Sequence, residues 1–539
     1  MVNEGDAIDA GATQAPPDGS GRHLSWFRVG LVIAVVAAAI GGGWYWMREQ
    51  QAAATAAVGP PTLFAPYVDV TSTPRYAFED ATTSSAVLAF IVSGRETPCQ
   101  PSWGGAYSLD EAAAQLDLDR RVARLRQLGG TVSVSFGGAA NSELAIGCTD
   151  TAALTAAYAS VVERYDLTQI DLDIEGQPSM TPEVNQRRAQ AIAALVAQRQ
   201  ATGKALDVWL TLPVISTGVT DQGRAVLSAM LAGGVRPAGV NAMTMDYGEP
   251  FPPGRTMAEQ GELALTALHG QIRSVWADAG LDLSDTQAWN LVGSTPMIGQ
   301  NDIPSEIFTL DDATRMLVFA QQQKLGRLSM WSANRDKACG PNYPDVTVVS
   351  DVCSGVDQQP GAFGAVLGQF GGATAATPTA GADPTGTTEA SAAPTSGAGQ
   401  PGRGTTTEVV DDPATSPYQI WNTNQGYAKD TKVVWRKNVY QAKWYTQGDQ
   451  PDLPVATAAQ SPWTLIGPVL PGDTPVPTPT LPAGTYPDWN ADEVYNAGSR
   501  VLHDGIGWQA RFWTKGDVPG TPPTNPDTPS PWELLTQPN

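Results

Sequence analysis

Gln169-Ile170-Asp171-Leu172-Asp173-Ile174-Glu175-Gly176 is the stretch on which the reading of this chain turns. Apolar and acidic residues alternate with a period of two, the pattern of a strand with two unlike faces. Ile170, Leu172 and Ile174 point into a hydrophobic layer, while Asp171, Asp173 and Glu175 stand in single file on the other side. Carboxylates this close repel one another, so at least one is expected to keep its proton near neutrality. A protonated carboxyl beside an ionised one is the equipment of general acid catalysis. Asp-x-Asp-x-Glu-Gly also imitates the start of a calcium loop. Such a loop needs Glu at its twelfth position, where this chain has Pro182.

Outward from this stretch, strand-like runs recur at Leu63–Val70, Ala86–Val92, Thr131–Phe136, Gln169–Glu175, Asp207–Val214, Val240–Tyr247, Leu291–Ile298 and Leu328–Trp331. Helical stripes separate most of them, such as Leu118, Val122 and Leu125, or Ala313, Met316, Leu317 and Ala320. Thr309 and Asp312 form a capping-box pattern for the latter helix, whereas Thr71 to Ser85 carries no helical signal. Strands alternating with helices in this way predict an α/β chain folded as a (β/α)8 TIM-type barrel over residues 62–371. Reactive groups in that fold stand at the C-terminal strand ends, where Glu175 falls.

Other strand ends supply candidates. Ser135-Phe136-Gly137-Gly138 closes the third strand, where glycines allow close approach and the Ser135 hydroxyl can reach Asp171. Met243-Thr244-Met245-Asp246-Tyr247-Gly248 closes the sixth and brings an acid beside a phenol that could orient a polar substrate group. Trp331 closes the eighth and offers a flat apolar floor for a sugar ring. Tyr67, on the first strand, joins this substrate-facing set.

The composition narrows the chemistry. The 539 residues carry a formal charge of −22 and only three histidines. The acidic balance disfavours nucleic acid, which needs a basic face. His23, His269 and His503 are too scattered for a Ser-His-Asp triad or a histidine zinc site, so neither metal nor cofactor is expected. Residues 29–47 are nearly uncharged, long enough to span a bilayer, and flanked by Trp26 and by Trp44, Tyr45 and Trp46. They predict a membrane anchor behind a cytoplasmic tail of residues 1–28, with a cleaved signal peptide as the rival. Either way the bulk of the chain, after a linker at 48–61, is expected outside the membrane. Cys99, Cys148, Cys339 and Cys353 fit that compartment. The pairings expected from loop proximity are Cys99–Cys148 and Cys339–Cys353, the second closing a loop of about 14 residues.

Taken together, these residues resemble the family 18 glycoside hydrolases, the chitinase family. Its motif Asp-x-x-Asp-x-Asp-x-Glu is matched at Asp171, Asp173 and Glu175, and its first Asp falls on Thr168. Its Ser-x-Gly-Gly matches Ser135 to Gly138, and its strand-eight Trp looks like Trp331. Its Met-x-Tyr-Asp is matched only in part, because the family Tyr falls on Met245 while Tyr247 comes two residues late. The resemblance covers the barrel region and implies substrate-assisted retaining catalysis. In that mechanism the acetamido oxygen of an N-acetylglucosamine unit is the nucleophile, so no opposing carboxylate is needed. Glu175 would be the acid and base, Asp173 would hold the acetamido N–H, and Asp171 would share a proton with Asp173.

Beyond residue 371 the composition turns to Ala, Thr, Gly and Pro, which predicts a flexible linker over 372–416. An internal repeat follows, over 417–466 and 486–539, with a Pro/Thr linker at 467–485. An offset of 68 residues relates Trp421 to Trp489, Tyr427 to Tyr495, Val433 to Val501 and Gly448 to Gly516. The pairs Trp444-Tyr445 and Phe512-Trp513 are expected to put one ring inward and one outward, the outer ones (Tyr445 and Trp513) binding sugar. The units resemble the chitin-binding modules of carbohydrate-binding families 5 and 12. The whole implies a monomeric hydrolase of β-1,4-linked N-acetylglucosamine polymers on the outer face of the membrane, or secreted. A chitin-binding lectin without activity and an endo-β-N-acetylglucosaminidase acting on glycoprotein or cell-wall glycans remain the alternatives.

Overall fold

The computed structural model describes residues 63–371, apart from 81–84, 250, 342 and 344, and residues 409–535, apart from 454, 456–457, 476–479 and 522–529. The anchor expected at residues 29–47 lies outside these. Among the described residues no helix is long and apolar enough to cross a membrane.

The core of residues 63–371 is a parallel sheet. Its strands are β1 (Leu63–Phe64), β2 (Tyr67–Asp69), β3 (Ser85–Ser93), β4 (Thr131–Gly137), β5 (Gln169–Asp173), β6 (Asp207–Ile215), β7 (Gly239–Met243), β8 (Val292–Thr295) and β9 (Arg327–Leu328). Their spatial order is β1-β9-β8-β7-β6-β5-β4-β3-β2, every neighbouring pair parallel. The two ends of that path are consecutive pieces of one segment. β1 pairs with β9 and β2 with β3, and the break falls at Ala65-Pro66. Proline has no N–H to give a ladder, yet its carbonyl still accepts from the Val87 amide at 3.0 Å. The unbroken first strand expected from the sequence is therefore split. The same segment thus stands at both ends of the strand order.

Two other strands end earlier than their apolar runs. β5 stops at Asp173, so Glu175 lies in the following loop; β7 stops at Met243, which leaves Asp246 and Tyr247 in a loop as well. Asp246 takes φ 46°, a left-handed turn that ends the alternation. The helices follow the stripes. Leu118, Val122 and Leu125 are buried on the helix Leu118–Gln127, and Thr309 with Asp312 caps the helix Leu310–Gln323 as a reciprocal box. At the base of the sheet Trp209 occupies space left open by its neighbours. A Cβ added to Gly239 or Gly293 would come within 2.3 or 3.0 Å of its ring. Both expected disulfides, Cys99–Cys148 and Cys339–Cys353, are present.

The repeat folds twice in the same way. Three-stranded sheets (Lys432–Trp435, Asn438–Ala442, Trp463–Pro468; then Arg500–His503, Ile506–Ala510, Trp532–Leu534) are each accompanied by a two-stranded ribbon. Tyr427, Val433, Ala442 and Trp463 form one small core, and Tyr495, Val501, Ala510 and Trp532 the other. Each closing Trp donates its indole N–H to a carbonyl, Trp463 to Asp449 at 2.8 Å and Trp532 to Asp517 at 2.7 Å. This satisfies the one polar atom that a buried indole carries.

Candidate active site

Asp171 and Asp173 on β5, and Glu175 just past its end, meet three environments. Asp171 is wholly buried and accepts from Ser135 Oγ at 2.7 Å, Thr211 Oγ1 at 2.7 Å, Tyr67 Oη at 2.9 Å and Arg327 Nη1 at 3.1 Å. Those donors come from β4, β6, β2 and β9, so the sheet as a whole fixes this carboxylate. Asn241 of β7 extends the network by donating to Tyr67 Oη at 3.1 Å and Thr211 Oγ1 at 3.2 Å. Arg327, itself fully buried, is the counter-charge inside the sheet and faces the rings of Trp209 and Tyr67.

Asp173, one step nearer the mouth, lacks such support. Its Oδ1 is buried and has no hydrogen-bond partner. Burial first, then the charges of Glu175 and Asp171, raise its pKa well above the usual carboxylate range. Its carboxyl lies in hydrogen-bonding reach of Glu175. Glu175 is half-buried and its pKa is also raised, chiefly by burial, with the Asp246 and Asp302 carboxylates adding to the rise and the bond to Asp173 opposing it. Asp171's oxygens are engaged by four donors, whereas the carboxyls of Asp173 and Glu175 lie within reach of each other.

Gly137 makes this packing possible. At φ 110° it brings its backbone against Asp173, and a Cβ there would lie 2.0 Å from the Asp173 carbonyl oxygen. Gly138 sits over the Phe90 ring in the same manner, with a Cβ distance of 2.9 Å. Phe90 stacks on Trp331 with centroids 5.3 Å apart, and Tyr67 closes the group at 6.2 Å from Trp331. Phe90 and Trp331 are partly exposed, so the pair presents an aromatic surface.

The remaining sequence candidates divide. Met245 and Asp246 are half-buried, and Asp246 accepts from the Asp302 amide at 2.8 Å, which ties two loops together. Tyr247 does not join them. It is buried against Phe251, its hydroxyl unpartnered, and it lies close to Gly261 of the helix Met257–Asp278. The left-handed turn at Asp246 swings the next side chain into the outer layer, away from the acids. Tyr67 and Ser135 are likewise fully covered, and their hydroxyls hold Asp171 rather than facing solvent. Sequence reading missed Arg327, Thr211, Asn241, Asp302 and Phe90. Arg327 carried a signal in being a lone cation opening an apolar strand, whereas the others looked like ordinary strand or loop residues.

In the repeats both rings of each pair are exposed, Trp444 and Tyr445 at 44 % each, Phe512 at 41 % and Trp513 at 62 %. The expected inward ring is absent because each pair sits in the bend between two strands, where side chains do not alternate. The Arg511 guanidinium lies 4.4 Å from the Tyr445 ring centroid, so the two units meet at these aromatics.

No family model matches the chain. It is 35% identical over 293 residues to a probable bifunctional chitinase/lysozyme of Escherichia coli, an alignment covering 52% of this chain and 32% of that one. It is 34% identical over 288 residues to endochitinase 11 of Metarhizium anisopliae, covering 51% of this chain and 53% of that one. The chain therefore spans about a third and about half of the lengths of these curated relatives. Among solved structures, the catalytic domain of a hyperthermophilic chitinase from Pyrococcus furiosus aligns at 28% identity with a TM-score of 0.49, covering 58% of this chain and 96% of that one. By sequence, then, this chain is related to glycoside hydrolases of the chitinase type.

Proposed function

We propose that the chain hydrolyses β-1,4-linked N-acetylglucosamine polymers by substrate-assisted retaining catalysis on a (β/α)8 barrel. The observation that carries this reading is the unpartnered, buried Oδ1 of Asp173 beside the partly buried Glu175. A buried acceptor without a donor is costly, and an acetamido N–H from the substrate would satisfy it. Glu175, whose pKa is raised chiefly by burial, is the acid that gives its proton to the glycosidic oxygen as the bond to C1 breaks. The acetamido oxygen closes on C1 from the other face, and Asp173 stabilises the resulting oxazolinium. Glu175 then takes a proton from water as it opens that ring, returning the anomeric configuration to its starting sense. Asp171, pinned by Arg327, supplies a fixed negative charge behind Asp173. Phe90 and Trp331 form the surface on which the sugar ring rests, and the paired rings of the two repeats bind the same polymer.

The Glu175→Gln variant is expected to lose roughly 10²–10⁴-fold in turnover of soluble N-acetylglucosamine oligomers while retaining their binding. NMR of the first product is expected to reveal the β-anomer. Full turnover by E175Q, or an initial α-anomer, sinks the reading. The similarity to a probable chitinase/lysozyme adds one arm to the assay, peptidoglycan beside chitin. We place the activity outside the membrane, in keeping with the disulfides.

A further inference from the structure

We propose that the helix Leu118–Gln127, on the outside of the parallel sheet, is a charge-keyed docking surface for the first C-terminal unit, which makes that unit a fixed part of residues 63–371 rather than a freely tethered appendage. Three observations carry it. First, the contact is built from two ion pairs with little exposure. Lys432 Nζ donates to both Asp117 oxygens at 2.7 Å, and Arg120 grips Asp473 with Nη1 at 2.9 Å and Nη2 at 3.3 Å. Asp117 and Arg120 are buried, their side chains 2% and 9% exposed. Surface ion pairs formed by chance remain largely solvated, whereas these have been taken out of water.

Second, Asp117 gives up a local role to make its bond. It occupies the N-cap position of the helix, where an Asp carboxylate ordinarily accepts from the first-turn amides. Here it adopts φ 53° and makes no cap hydrogen bond; the carboxylate is turned to Lys432, with Arg75 at 3.6 Å. An N-cap that leaves its own helix uncapped points to a partner worth more than the cap.

Third, backbone meets backbone. Arg120 Nη1 also donates to the Pro468 carbonyl at 2.6 Å, and a Cβ on Gly467 would lie 2.6 Å from the Arg120 carbonyl oxygen. Only glycine admits this approach. In the second unit the residue matching Lys432 is Arg500, which bonds inside its own unit to Gln509 at 3.0 Å. Docking fixes where Trp444 and Tyr445 stand relative to the strand ends. If the carbohydrate reading holds, a polymer chain meets the rings and the acids at a set spacing, which raises the effective concentration of substrate at the cleft. The docking itself does not depend on that reading.

Small-angle X-ray scattering of the full chain tests it. The wild-type chain at low salt is expected to be compact, with the radius of gyration rising in Lys432→Glu/Asp473→Lys and, by screening, in 1 M salt. The charge swap Asp117→Lys with Lys432→Asp is expected to restore compactness. Circular dichroism and turnover of a soluble oligosaccharide check that each variant is folded; K432E lies on the unit and D473K on the segment that follows it, so both spare the parallel sheet should D117K fail to fold. A radius of gyration unchanged by K432E/D473K, or a wild-type chain already as extended as that variant, overturns the proposal. Inactivity of every form with the scattering result intact would instead remove the hydrolase reading alone.

Discussion

Replacing Arg327 with Met tests whether the acid file is held up from beneath. Arg327 and Asp171 are both 0% exposed and 3.1 Å apart, so the substitution leaves a carboxylate inside the sheet without its counter-charge. Removing one member of a buried pair typically costs about 3–5 kcal/mol, because the remaining charge stays desolvated. The three hydroxyl donors to Asp171 do not offset this, since they are already present in the parent protein. At about 2 °C per kcal/mol for larger domains, the thermal midpoint should fall by roughly 6–10 °C. Removing both charges in R327M/D171N should recover most of that loss, as a pair replaced by neutral groups of similar shape is often tolerated. Differential scanning calorimetry of the parent, the single and the double variant decides it. An R327M midpoint equal to the parent's, or a double variant no more stable than R327M, would refute the reasoning.

Three further outcomes are expected. Asp246 raises the pKa of Glu175 through its charge, so Asp246→Asn should lower it. A general acid must be protonated, and the protonated fraction falls as pH rises through the folded-state pKa. The alkaline limb of the rate profile should therefore move to lower pH in D246N, and a shift the other way would contradict the assignment. Gly137→Ala should destabilise by about 1–3 kcal/mol or more in denaturant titration, because φ 110° is strained for alanine and its Cβ meets the Asp173 carbonyl. Substituting Trp444, Tyr445, Phe512 and Trp513 together by Ala should reduce retention on insoluble chitin while leaving hydrolysis of short soluble oligomers intact. Equal loss on both substrates would argue that these rings do not act as a separate binding surface.

The parts of this protein visible in one dimension were those governed by local periodicity. The two-residue alternation from Gln169 announced both a strand and the common side of Asp171 and Asp173, since the pleat alone decides which side chains share a face. The cap at Thr309 and Asp312 depends on three residues of spacing and was equally plain. The 68-residue repeat was visible because both copies must fill the same small core, as Tyr427 and Tyr495 do.

Where the sequence reading erred, the cause lay in loops. Tyr247 was placed by extending a strand past its end, and a single left-handed residue, Asp246, turned it into the outer layer. The ring pairs were read as strand residues, and a bend exposed both members of each. Sequence alone determined that Asp171 and Asp173 share one face of a strand and that two related aromatic units follow the sheet. Only the tertiary structure decided which acid is neutralised by Arg327, which keeps an unpaired oxygen, and which reaches toward solvent. Those differences arise from donors more than 100 residues away in some cases, as Tyr67 is from Asp171, and local pattern has no means of recording them.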